Sequence, residues 1–241
     1  MKRLLLPFLL FSLFPLCLHA QLSVSPSWLY LDARRPAASL ELRSSLAESA
    51  SYDVTVRDRG QGSGAASCRD WLRIDPKHLH LTPQSVETLY VAADMPAGVG
   101  DGEYVAELLF LRDDASGGEE VVVPVHVRVG EVYSDVKLAG AGAERKDGEV
   151  VFRFNLTQMG NAAYRGNLVL RLEDGKGREV HAQEGPVDVY GSGVEELVLP
   201  SADVPPGRYR VFMHFDSDRK DLGTRAIPVL SKKYTIDISM P

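Results

Sequence analysis

The sequence predicts an all-β protein with two tandem immunoglobulin-like β-sandwich domains after a cleaved signal peptide. Apolar and polar residues alternate along almost every apolar segment, which is typical of half-buried strands. Turn residues separate these segments at short intervals, as they do in antiparallel sandwiches. The only helix candidate, residues 45–50, is too short to be stable by itself.

The first 20 residues have the layout of a secretory signal peptide. Lys2 and Arg3 precede a nearly continuous apolar run over residues 4–18, and Ala20 supplies the small residue at the cleavage point. The run is about 15 residues long, whereas a membrane-spanning helix needs roughly 20. We therefore predict a signal peptide at residues 1–20, export, and no stable membrane insertion; a membrane anchor is the alternative.

The composition excludes several classes of protein. The chain has 241 residues, of which 44% are hydrophobic and 25% charged, so it is too apolar for a disordered tail. Its net charge of -6 does not attract phosphates, so we expect no nucleic-acid partner. Without the signal peptide, Cys68 is the only cysteine, which excludes an internal disulfide. We interpret Cys68 as a small apolar residue near Trp71, with a reactive thiol as the alternative.

The first domain, residues 21–130, is predicted to consist of short alternating strands. Turn-forming pairs such as Asp101 and Gly102 separate them. The predicted strands are residues 28–31, 40–42, 52–56, 79–81, 89–91, 104–111 and 121–129.

The second domain, residues 131–241, repeats the pattern. Its predicted strands are residues 150–156, 168–172, 195–199, 209–215 and 234–238. Tyr104 and Tyr209 each follow a turn and stand 105 residues apart, about the length of one immunoglobulin-like domain. A tyrosine at the start of a late strand is typical of a tyrosine corner. We therefore place the domain boundary near Gly130.

No group of residues indicates catalysis, so we expect no enzyme activity and no cofactor. Residues 60–65 have the glycine spacing of a dinucleotide-binding loop, but no helix follows to hold a pyrophosphate. Adjacent carboxylates such as Glu119 and Glu120 point to opposite faces of a strand and do not converge on a substrate. We interpret the glycine segment as a hairpin loop and these carboxylates as solvent-facing charge.

We also predict no metal site. His78 and His80 share one face of a strand, but no third histidine or second cysteine lies nearby in the sequence. Asp216, Asp218 and Asp221 carry oxygen ligands suited to calcium, yet two basic residues interrupt them. Exposed strand histidines and a solvated acidic turn are the preferred interpretations.

The most distinctive segment of the chain is residues 121–129. One face of this predicted strand consists of valines: Val121, Val123, Val125, Val127 and Val129. Pro124 cannot donate a ladder hydrogen bond, which favours an edge strand with an open side. Such an edge can bind a partner's strand by β-augmentation, with the five valines and Arg128 as contact residues. Alternatively, the valines fill the core of the first domain. Both interpretations hold if the strand packs inward at one end and is exposed at the other.

This arrangement resembles the periplasmic pilus chaperones of the PapD-like superfamily. Residues 22–32 and 39–42 follow the rhythm of the family's first two strands, and residues 121–129 lie where the family has its donor strand. The resemblance implies two immunoglobulin-like domains and a periplasmic location. It also implies binding of pilin-like or other exported subunits through that strand.

Two basic positions depart from the family pattern. Family members grip the subunit's terminal carboxylate with an arginine in the first strand and a lysine at the end of the donor strand. Here Trp28 stands at the place of the arginine and Gly130 or its neighbours at that of the lysine, and Arg128 is the nearest cation that could substitute. The resemblance therefore supports superfamily membership more than it supports carboxylate anchoring.

Two functions remain as hypotheses. The first is a non-enzymatic periplasmic chaperone-like protein that assists assembly of pili or fimbriae through its edge strand. The alternative is a structural or adhesive two-domain module of the cell envelope or surface, which does not require the missing basic pair. Partner identity and oligomeric state stay open at this point.

Overall fold

The structure is a computed structural model that describes residues 22–59, 66–113, 120–225 and 236–239. The predicted signal peptide and the glycine loop at residues 60–65 lie outside the described residues. No helix in the described part of the chain has the length and apolar character needed to cross a membrane.

The first half of the chain forms two facing sheets. Its strands are β1 (Leu22–Ser25), β2 (Leu29–Asp32), β3 (Ala37–Ser44), β4 (Ala50–Asp58), β5 (Leu72–Asp75), β6 (His78–Leu81), β7 (Val86–Ala93), β8 (Gly102–Arg112) and β9 (Glu120–Val129). The sheet orders are β1-β3-β7-β5 and β2-β9-β8-β4-β6. Neighbouring strands are antiparallel, except that β2 runs parallel to β9.

The second half forms another pair of sheets. Its strands are β10 (Val136–Lys146), β11 (Glu149–Gln158), β12 (Tyr164–Asp174), β13 (Glu179–Val189), β14 (Ser192–Pro200), β15 (Arg208–Ser217) and β16 (Ile236–Ser239). Their orders are β10-β11-β14 and β13-β12-β15-β16, with all neighbours antiparallel. Two short 3-10 helices, Arg69–Trp71 and Lys220–Arg225, complete the described elements.

These sheets confirm the predicted all-β fold class. Each strand predicted from alternation is found at its place within the residues that the structure describes. The short helix candidate at residues 45–50 does not form, because Ala50 already begins β4.

Alternation places one face of each strand in a hydrophobic core. Leu40 and Leu89 in the first sandwich, and Phe152 and Phe154 in the second, are fully buried. The main core of the first sandwich draws on residues 22–127 and that of the second on residues 136–215. We propose on this basis that the domain boundary lies near Gly130.

The two predicted tyrosine corners are present. The Tyr104 hydroxyl donates to the carbonyl oxygen of Gly100 at 3.0 Å, and the Tyr209 hydroxyl donates to that of Pro205. Each bond reaches four residues back along the chain and ties the start of a strand to the preceding turn. The same local sequence pattern therefore forms the same local structure in both sandwiches.

One connection between the sandwiches requires a glycine. Gly130 has a φ of +61°, and a Cβ there would lie 1.9 Å from a carboxylate oxygen of Asp101. The Asn161 side chain holds the same connection: its amide nitrogen donates to the carbonyl oxygens of Asp101 at 3.1 Å and Glu131 at 2.8 Å. Its amide oxygen accepts a hydrogen bond from the Tyr133 nitrogen at 2.9 Å. The chain is therefore constrained where it passes between the domains.

We predict that Tyr209→Phe lowers the free energy of unfolding by about 1 kcal/mol, because the Pro205 carbonyl loses its donor. Tyr104→Phe costs less, since its hydrogen bond is exposed to water. Urea unfolding of each variant measures both effects. Tyr90→Phe is the control, since Tyr90 is 62% exposed. A Tyr209→Phe midpoint equal to that of the control contradicts the stabilising role of the corner.

Candidate functional site

Strand β9 has one edge that is covered only in part. Strand β8 pairs with β9 along its whole length. On the other side, β2 pairs with β9 only from Val125 to Arg128. Among the described residues, no strand pairs with that side of β9 at residues 120–124. The open edge is therefore residues 120–124, and Pro124 stands where the cover by β2 begins.

Most of the predicted contact valines face the core. The exposed fraction is 1% for Val123 and 0% for Val125 and Val127. Val121 packs against the same core, and Val129 is half-buried. Since these side chains fill the first sandwich, a partner cannot contact the three buried ones while the sandwich is closed. A partner bound at β9 would contact its backbone edge and its opposite face instead.

That opposite face carries apolar side chains beside the open edge, although Glu107 of β8 stands opposite Pro124. Val122 is 37% exposed, and Pro124 is half-buried. On β8, Leu109 stands opposite Val122, and Leu111, which is 38% exposed, stands opposite Glu120. Alternation within one strand does not reveal this face, because it exists only once β8 pairs with β9. Leu109, Leu111, Val122 and Pro124 together form the outer patch.

Arg128, the predicted charge anchor, is already paired. Its Nε lies 3.1 Å from an oxygen of Glu103 on β8, and its Nη2 donates to the carboxylate of Asp221. Asp221 lies beyond β15, so this contact joins the two sandwiches. Because of these two contacts, Arg128 is part of the domain junction in this structure. It would have to leave both carboxylates to bind a charged group of a partner.

A second arginine completes the junction. Arg219 is 1% exposed and donates to both oxygens of Glu103, at 2.6 and 3.2 Å. It also donates to the Ala163 carbonyl oxygen. Such a bidentate pair satisfies two buried charges that would each be costly alone. Sequence alone does not indicate this pair, since its members lie 116 positions apart.

The carboxylate of Glu103 stays ionised in this setting. Burial acts to raise its pKa, but the adjacent His126 ring and the Arg219 guanidinium outweigh burial and hold the pKa well below its usual range. His126 is itself buried, and that burial lowers the pKa of the ring although Glu103 acts to raise it.

Aromatic rings and guanidinium groups alternate along the cleft between the sandwiches. Arg165 of β12 lies 4.4 Å from the centre of the Trp28 ring and donates to the Tyr30 hydroxyl at 2.6 Å. Arg59 lies 4.0 Å from the centre of the Tyr190 ring. These distances are those of cation–π contacts.

The second sandwich thus brings a cation to the place of Trp28, where the resemblance implies an arginine on the first strand. Arg165 is already ion-paired, since Asp188 lies 3.6 Å and Asp218 lies 3.9 Å from its guanidinium nitrogens. The sequence offers no signal for this arrangement, because β2 and β12 are distant along the chain.

Other candidates from the sequence do not converge. Among the described residues, no group of three or more His, Cys, Asp or Glu side chains is placed to hold a metal ion. His78 contacts Asp53, and His80 lies 3.3 Å from the Ser51 hydroxyl. Asp221 pairs with arginines.

Cys68 is a core residue, as the sequence indicated. It is 0% exposed and belongs to the core against which Trp71 packs. Burial raises the pKa of its thiol to about 12, so little thiolate exists at neutral pH.

Known proteins match this chain in fold and not in sequence. No family model and no curated protein matches it. The YadV chaperone has a TM-score of 0.52 at 8% identity, over 92% of this chain and 100% of that chain. A chain of the CsuC–CsuE chaperone–tip adhesion subunit pre-assembly complex of Acinetobacter baumannii Csu pili has a TM-score of 0.51 at 12% identity, over 91% and 98%. This chain therefore shares its fold with these two chains.

We predict that Glu103→Gln lowers the free energy of unfolding by about 3 kcal/mol, because Arg219 then stays buried without its bidentate carboxylate. Arg219 keeps its contact with Asp221 in this variant. The expected loss of stability is therefore at the low end of the range for breaking a buried ion pair. Urea unfolding at constant ionic strength measures this loss of stability.

The matched control is Arg153→Gln, which breaks exposed ion pairs with Glu144 and Glu196. It should change stability very little, because water screens charges at the surface. If the two substitutions lower the free energy of unfolding equally, the buried Glu103 pair stabilises the protein no more than an exposed ion pair does.

Proposed function

We propose that this chain is a non-enzymatic periplasmic chaperone that assists assembly of pili or fimbriae by binding exported subunits through β9. The fold shared with the YadV chaperone and with a chain of the CsuC–CsuE complex supports this proposal. That complex contains a tip adhesion subunit, so pilus subunits are the proposed partners here. The predicted signal peptide at residues 1–20 supports a periplasmic location.

The observation that carries the proposal is the open edge of β9 at residues 120–124. A sheet edge presents backbone donors and acceptors that another strand can pair with. Pro124 has no N–H, so it limits the ladder on the side where β2 takes over. A partner strand is therefore expected to pair along residues 120–123.

The outer patch supplies apolar contact beside that edge. A strand added at the edge extends the sheet and can cover Val122, which is 37% exposed. Full burial of such a side chain contributes at most about 1.5–3 kcal/mol. Association entropy offsets part of this gain, so backbone pairing and side-chain burial are both needed.

We predict that Val122→Glu reduces co-purification of a bound subunit at least tenfold, because a carboxylate would be buried against the partner. The chain is co-expressed with pilin-like exported subunits of its own genome, and the subunit-to-chain ratio is measured after purification. Val122 is 37% exposed, so the variant should unfold at the same urea concentration as the parent.

Val198→Glu is the control, since Val198 is a 47% exposed valine on β14 of the second sandwich. Substitutions at Val125 and Val127 do not serve this purpose, because charges there would open the core. If Val122→Glu and Val198→Glu retain the same amount of subunit, the outer patch is not the contact surface.

A structural or adhesive two-domain module is the second candidate function. The observation in its favour is that Arg128 is committed to the junction while three of the contact valines fill the core. Amide hydrogen exchange of the isolated chain separates the two functions. Rapid exchange at residues 120–123 supports strand binding, and strong protection there supports the module.

A further inference from the structure

One buried titratable side chain lies at the centre of the domain junction. His126 of β9 is 1% exposed, and its ring centre lies 4.9 Å from that of Tyr30 and 6.3 Å from that of Tyr190. Its Nδ1 lies 3.1 Å from an oxygen of Glu103 but has no hydrogen-bond partner among the described residues. The imidazole is therefore buried at the domain junction, in contact with a carboxylate that already accepts hydrogen bonds from two arginines.

The charged groups around His126 come from both sandwiches. Glu103 on β8 is the carboxylate in contact with the ring, and both of its oxygens already accept hydrogen bonds from Arg219. Arg128 on β9 occupies one of those oxygens as well. The further groups that face the ring or its tyrosine neighbours are Arg59 after β4, Arg165 of β12, Asp188 of β13 and Asp221 after β15.

We propose that His126 makes the junction between the two sandwiches sensitive to acid, so that its protonation loosens the contact between Glu103 and Arg219. A protonated ring becomes a third cation, after Arg219 and Arg128, that competes for the Glu103 carboxylate. Since Arg219 belongs to the second sandwich and Glu103 to the first, any weakening of that pair acts directly on the contact between the domains.

The direction of the pH effect follows from the pKa of His126. Burial lowers this pKa below the ordinary value near 6.5, although Glu103 acts to raise it. The opened state therefore binds a proton more readily than the closed state, and the open fraction rises as pH falls below 6.5. Linkage allows up to about a tenfold change in the open-to-closed ratio per pH unit.

Glu103 does not account for the effect in the same range. Its pKa lies well below the usual range, so it stays ionised above about pH 4.5, the ordinary value of a free glutamate. This inference does not depend on the proposed chaperone function, because it concerns the contact between the chain's own domains.

Small-angle X-ray scattering of residues 21–241 at about pH 7.5 and about pH 5.2 tests the proposal. We expect a larger radius of gyration at the lower pH for the parent chain and no change for His126→Phe, which keeps a packed ring without a titratable proton. His126→Gln provides a second non-titrating variant if the larger ring impairs folding. His80→Gln, which removes an exposed histidine, should behave as the parent does.

Labelling of Cys68 distinguishes opening of the junction from unfolding of the first sandwich. Its sulfur lies 3.5 Å from the Tyr104 carbonyl oxygen inside the first core. A dipyridyl disulfide, which reacts with thiols at acidic pH, should leave Cys68 unmodified while the radius increases. The proposal is overturned if the parent radius is unchanged, if His126→Phe expands equally, or if Cys68 becomes reactive together with the expansion.

Discussion

The buried ion pair between Glu103 and Arg219 is the contact on which the arrangement of the two sandwiches depends. Both side chains are hidden from water, and the guanidinium donates to both carboxylate oxygens. A lone buried charge of either sign would be very unfavourable, so the two sandwiches keep these groups together. Arg128 adds β9 to the same network. The cleft and the candidate binding edge therefore take their relative positions from one charged cluster.

Strand β9 passes through three environments along its length. One face fills the first core, the end near Arg128 lies in the junction, and residues 120–124 have an uncovered edge. The core contacts of Val123, Val125 and Val127 hold the strand rigid. A rigid edge loses less conformational entropy when a partner strand pairs with it. In the proposed function, the buried valines thus support binding without contacting the partner.

The candidate site could be predicted only in part. Alternation and Pro124 indicated an edge strand within residues 121–129, and the open edge lies there. The five odd-numbered valines stay a prediction as contact residues; three of them are buried in the core, and Val122 on the opposite face is 37% exposed. A period of two identifies the two faces of a strand but not which face meets a core. The longer apolar series faces the core, since more apolar surface is removed from water that way.

Local patterns in the sequence determined the strands, the all-β class and the tyrosine at each corner, because these features depend on residues close together in the chain. Tertiary structure alone decided which strand covers β9, that Arg165 stacks on Trp28, and that Arg219 reaches Glu103. Each of these contacts joins segments far apart in sequence. Such contacts depend on how the sheets pair and how the two sandwiches pack together, so no spacing along the chain encodes them.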